Sequence, residues 1–134
     1  MVLRRIESNA GEKGFTLLEL LIAMFILVIL LSVAVPTYQK SVQHARETVL
    51  KENLWQMRRS IDQYSTDKGK LPIALSDLVQ GGYLREIPRD PITEKAEWEE
   101  IVGDDPSGGD SQGLKDVKSL SEGIDDAGVS YKDY

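Results

Sequence analysis

The chain has 134 residues, 28% of them charged and 41% hydrophobic, which suits one small domain and excludes both a disordered tail and a multi-span membrane protein. Its formal net charge of −6 argues against nucleic-acid binding through a basic face. The absence of cysteine excludes disulfides, thiolate metal sites and cysteine nucleophiles, and the single histidine, His44, leaves no second imidazole for a relay.

The apolar residues are concentrated near the start. Phe15 to Val35 reads FTLLELLIAMFILVILLSVAV, with one charge, Glu19, and two hydroxyls, Thr16 and Ser32. A helix of this length rises roughly 30 Å, the thickness of a bilayer's hydrocarbon core. The rest of the chain is too small to wrap a rod that is apolar all round, which disfavours a buried soluble helix. Arg4, Arg5 and Lys13 precede the run and Lys40 follows it, so cation placement favours a cytoplasmic N-terminus. Glu7 and Glu12 among those cations, and Arg46 beyond Lys40, dilute that signal. A cleaved secretory signal is the competing reading, but signal peptides carry apolar stretches of about 7–15 residues followed by small residues. Here the longer run meets Pro36, Thr37 and Tyr38, and a helical pattern continues beyond it.

The junction Lys13-Gly14-Phe15-Thr16-Leu17-Leu18-Glu19 sets a glycine before the run and a carboxylate five residues later. Here the chain resembles the class III prepilins, the type IV pilins and the pseudopilins of type II secretion. The resemblance implies a leader, residues 1–14, removed by a prepilin peptidase between Gly14 and Phe15, with Phe15 then N-methylated. A carboxylate in an apolar run costs about 2.5–3.5 kcal/mol at mid-bilayer and less near its end, where Glu19 lies. Glu19 is therefore either a tolerated interfacial carboxylate or one half of a pair made in an assembly. The resemblance supplies the partner, the α-amino group of Phe15 on a neighbouring subunit.

Past Pro36 the apolar residues recur every three or four positions, at Tyr38, Val42, Ala45, Val49, Leu50, Leu54, Met57, Ile61 and Tyr64. This predicts an amphipathic continuation over 36–68 of the helix begun at 15–35, with Pro36 as a kink and Gly69 as the C-terminal cap. The spacing of Glu47 and Lys51 fits a helix-face ion pair. His44 lies beside the stripe and is expected at the surface.

Residues 69–134 read as a small headpiece. Leu71-Pro72 opens an extended connection, and Ser76 to Gln80 is a short helix capped by Ser76 and ended by Gly81-Gly82. Pro88 and Pro91 keep the following segment extended or turning. Glu97 to Val102 and Leu114 to Ser119 are candidate strands around the polar loop 103–113, whose Asp104, Asp105 and Asp110 are expected to be solvated. The fold class is α+β: a long N-terminal helix packed on a small domain with a short helix and two or three antiparallel strands.

The resemblance narrows in the headpiece. Leu71-Pro72, Leu75, Leu78, Gly82-Tyr83-Leu84, Ile87-Pro88, Asp90-Pro91 and Trp98 look like the major pseudopilins of type II secretion. It implies a structural subunit, not an enzyme, that polymerises from the bacterial inner membrane into a helical filament in the periplasm and helps drive exoprotein export. Implied partners are further copies of the chain, minor pseudopilins, the prepilin peptidase, an assembly platform protein and an ATPase, with no nucleic acid. A type IV pilin of a surface pilus and a non-polymerising membrane-anchored binding module are the alternatives. No phosphate loop, nucleophile elbow or triad is present, and the carboxylates lie in polar loops where nothing raises a pKa. The family's major pseudopilins often hold calcium in a C-terminal loop, which here points to Ser119, Glu122, Asp125 and Asp126. Calcium takes six to eight oxygens on a turning backbone. A solvated acidic tail is the other reading of the same residues.

Overall fold

The structure, a computed structural model, describes residues 14–134. The leader apart from Gly14, with Arg4, Arg5 and Lys13, lies outside the described residues. The chain divides into two units after Gln39.

Helix α1 spans Leu17–Lys68 and has Pro36 within it. Thr16 starts it: its hydroxyl accepts the Glu19 amide at 3.2 Å, filling one of the donors that every helix N-terminus leaves open. Gly69 ends it at φ +69°, donating to the Ser65 carbonyl at 2.9 Å, a conformation that costs glycine nothing. In the first unit the apolar side chains of α1 face outward, from Leu17, 81% exposed, to Val35, 44% exposed. The helix is long and apolar enough to cross a membrane.

In the second unit α1 supplies one wall of the core. Leu50, Leu54, Met57 and Ile61 are each at most 1% exposed. They pack with Leu75 and Leu78 of α2 (Leu75–Gln80), Trp98 of β1 (Trp98–Asp104), Leu114 and Val117 of β2 (Gln112–Ser119), and Tyr131. The outer members of the expected stripe lie outside this core: Tyr38 and Val49 are exposed, and Val42 is half-buried.

The two strands pair antiparallel, with a register shift between Ile101 and Val102 that leaves Lys115 unpaired. That bulge turns the strand by one position, so Leu114 and Val117, three apart, both face the core. Gly113 is required there, because β2 passes against the 71–72 segment: a Cβ on Gly113 would lie 2.5 Å from that of Leu71, while the Leu114 amide donates to the Pro72 carbonyl at 2.7 Å.

Three local expectations are corrected. Ser76 does not cap α2; Ala74 holds that position with no side-chain bond, and the Asp77 carboxylate binds the Ile73 amide while Glu100 takes the Leu75 amide. The Leu75 amide is one of the donors that the helix start leaves open, and Ser76, already inside the helix, lies past the capping position. Glu47 does not pair with Lys51; it is buried and bonded to Tyr131 instead, and Arg58–Asp116 at 2.8 Å is the ion pair seen among the described residues. Asp105 is not a solvated loop residue, for it is 7% exposed and accepts the amides of Leu71 and Ser107 and the Ser107 hydroxyl.

Candidate functional site

The residues singled out in the sequence fall at two places. The first is the start of α1. Phe15 precedes the helix and is 86% exposed, and Gly14 has open space around its α-carbon. Glu19 is the third residue of α1, and Thr16-Leu17-Leu18-Glu19 has the spacing of a capping box. The Thr16 half of that box is formed. The Glu19 carboxylate is exposed and makes no hydrogen bond or ion pair with any described residue. An acid in the first turn also opposes the positive end of the helix dipole. Around it, Leu17, Leu18, Leu20, Leu21 and Ile22 are all more than half exposed. The described residues of this unit therefore present a continuous apolar surface carrying one carboxylate, Glu19, that has no side-chain partner among them. Such a surface is stable only when lipid or other helices cover it.

The second place is the segment after β2, where calcium ligands were expected. Ser119 is fully buried, and its hydroxyl donates to Asp90 Oδ2 at 2.5 Å. Asp125 is half-buried: its Oδ1 accepts the amides of Ala127 and Val129, both at 2.9 Å, and its Oδ2 accepts the Tyr134 hydroxyl at 2.7 Å. That hydroxyl, then the Val129 amide, hold the Asp125 carboxyl below the usual aspartate value. Glu122 and Asp126 are exposed. No group of three or more histidine, aspartate or glutamate side chains able to hold a metal occurs among the described residues.

Two residues that the sequence reading gave no role organise this region. Asp90 is fully buried; its Oδ1 accepts the amides of Ile92 and Thr93 and its Oδ2 faces the hydroxyls of Ser119 and Ser121. An aspartate that binds the amide two residues on is a common turn former, and Asp90-Pro91-Ile92-Thr93 carried that signal. Tyr131 sits in the core with its hydroxyl on Glu47. Burial first, and Glu47 next, push the Tyr131 hydroxyl above its usual range.

The described residues thus combine an exposed apolar helix, long enough to cross a membrane, with a small α+β headpiece. The family model for the prokaryotic N-terminal methylation motif matches residues 9–35. The type II secretion system core protein G of Klebsiella pneumoniae is 29% identical over 96 residues, covering 60% of this chain and 69% of that protein. Core protein G of Dickeya chrysanthemi is 28% identical, again over 96 residues, with 63% of its length covered, so part of these relatives has no counterpart in the alignment. The competence protein ComGC of Halalkalibacterium halodurans is 32% identical over 73 residues, covering 54% of this chain and 72% of that protein. No solved structure gives a significant match. The chain belongs to the pilin-like family that carries the N-terminal methylation motif, with type II secretion core protein G among its homologues.

Proposed function

We propose that this chain is a structural subunit of a type II secretion pseudopilus, assembled from the inner membrane and acting in exoprotein export. The observation that carries the reading is the exposed apolar surface of residues 17–35 with its single carboxylate, Glu19, which has no side-chain partner among the described residues. In the membrane, lipid covers that surface. In a filament, the same surface of neighbouring helices replaces lipid, and head-to-tail addition continues without closing. Glu19 pairs there with the amino group of Phe15 on the next subunit, an amino group freed by cleavage between Gly14 and Phe15 and then methylated. A desolvated pair of this kind fixes the axial register of the helices. Losing one partner strands the other, at about 3–5 kcal/mol.

The remainder of the reading rests on the resemblance to the pseudopilins of type II secretion. The prepilin peptidase acts on the cytoplasmic side, the headpiece folds in the periplasm, and a platform protein with its ATPase lifts subunits into a filament that also contains minor pseudopilins. Replacing Glu19 with alanine tests it: the variant is expected to be cleaved and membrane-inserted yet absent from sheared or cross-linked filaments. Normal filaments from that variant would contradict the proposal and favour a membrane-anchored module that does not polymerise.

A second reading, a type IV pilin serving adhesion, twitching or DNA uptake, is favoured by the resemblance to ComGC and to the fimbrial protein EcpC of Eikenella corrodens, 30% identical over 81 residues, 57% of this chain and 53% of that protein. Genes for a secretin and secretion ATPase beside this one support the pseudopilus; a retraction ATPase and other pilus genes support the pilus.

A further inference from the structure

The segment after β2 has little apolar material with which to hold itself down. Tyr131 is its only buried hydrophobic residue and Tyr134 packs half-buried against the core, while Leu120, Ile124 and Val129 are 45%, 64% and 41% exposed. Something polar must fasten it, and two polar centres do.

The first is Asp90. Its carboxylate is 0% exposed and meets donors on both oxygens. Oδ1 accepts from the Ile92 amide at 2.8 Å and the Thr93 amide at 3.3 Å. Oδ2 lies 2.5 Å from Ser119 Oγ and 3.2 Å from Ser121 Oγ. The two hydroxyls are 2.9 Å apart, and Ser119 Oγ also accepts the Ser121 amide at 3.0 Å. The end of β2 is thus tied to the turn at 90–93 through one buried anion. The second centre is Asp125, whose oxygens take two amides of its own turn and the Tyr134 hydroxyl.

A calcium cage has the opposite polarity, with carboxylates and carbonyls turned toward a cation. Here the oxygens of Ser119 and Asp125 are already committed to internal partners. A cation placed on them would compete with the Ser119–Asp90 and Asp125–Tyr134 bonds for the same oxygens. Glu122 and Asp126 alone fall well short of the six to eight oxygens calcium requires. Buried polar groups whose partners are all in place gain nothing from an added ligand that displaces them.

We infer that the C-terminal segment of this headpiece is closed around an anion, the Asp90 carboxylate, and that its folding does not depend on calcium. The inference concerns the headpiece alone and stands apart from the filament reading. The test is thermal unfolding of the full chain in detergent, followed by tryptophan fluorescence, in EGTA and in calcium at about 5 mM, above the weakest range of extracellular calcium modules. Expected is one midpoint in both conditions for the unaltered chain and for a Glu122→Ala, Asp126→Ala variant. Ser119→Ala is expected to lower the midpoint by roughly 6–20 °C, equally with and without calcium, because it removes a hydrogen bond to a buried charge. Should Ser119→Ala fail to fold, Ser121→Ala supplies the milder version of the same loss. A midpoint that rises on adding calcium to the unaltered chain, with the rise abolished by the Glu122, Asp126 double variant, would overturn the inference. So would a Ser119→Ala midpoint equal to that of the unaltered chain.

Discussion

The Tyr131 hydroxyl donates to Glu47 Oε1 at 2.9 Å, and it joins residues 84 positions apart. Gln43 Nε2 completes the group, 2.6 Å from the tyrosine oxygen and 3.4 Å from the glutamate. A carboxylate 5% exposed on the packed face of α1 is tolerable only with such donors. Tyr131→Phe keeps the ring but removes the hydroxyl, and is expected to destabilise the headpiece by about 1–3 kcal/mol. In a double-mutant cycle with Glu47→Gln the two losses are expected to be non-additive, as read from denaturant midpoints of the full chain in detergent.

The Asp125–Tyr134 bond makes stability sensitive to acid. The Tyr134 hydroxyl, followed by the Val129 amide, lowers the folded pKa of Asp125 from its ordinary 3.8. A depressed carboxylate pKa contributes stability that is fully present above the unfolded value and is lost as pH falls toward the folded one. The unfolding midpoint is therefore expected to drop as pH is lowered from about 5 through the region below 4. Tyr134→Phe should flatten that drop, whereas an equal slope in the variant would remove Asp125 from the account.

Gly113 marks a close approach of β2 to the 71–72 segment. A methyl group there would meet Leu71 Cβ at 2.5 Å and the Pro72 carbonyl oxygen at 2.9 Å, neither of which is a flexible side-chain tip. Gly113→Ala is expected to cost about 1–3 kcal/mol through forced backbone movement. Gly103→Ala is the control, since its nearest neighbour, the Lys115 side chain at 2.8 Å, is free to swing away.

At the start of α1, the charge of Glu19 and its place in the helix cap can be separated. Glu19→Gln retains the spacing of a capping box but removes the anion. If the carboxylate acts by pairing with a neighbouring amino group, Gln and Ala variants both lose filaments while circular dichroism of the detergent-solubilised chain stays unchanged. Recovery of filaments in the Gln variant would assign Glu19 to the cap alone.

Most of the helical architecture was legible because period and punctuation agree. The three-to-four spacing from Leu50 to Ile61 placed the buried face of α1, and Gly69 and Gly81-Gly82 marked the helix ends. What stayed hidden was polar and long-range. Glu47 and Lys51 fit a local pairing rule, yet Glu47 is bonded to Tyr131, far along the chain, and Lys51 lies over the Tyr134 ring instead. Likewise the bonds that join Ser119 to Asp90 and Asp125 to Tyr134 were hidden, since no spacing rule connects these residues. The shift at Lys115 was invisible for a related reason: a bulge is decided by which residues reach the core, and the strand pattern alone does not show it.

The most direct test of the filament-subunit account is the intact mass of the protein recovered from its native membrane. Expected is a chain that begins at Phe15, carries one added methyl group and retains the apolar helix through to the headpiece. A mass that includes residues 1–14, or one that starts beyond Val35 in a freely dissolved protein, would contradict it.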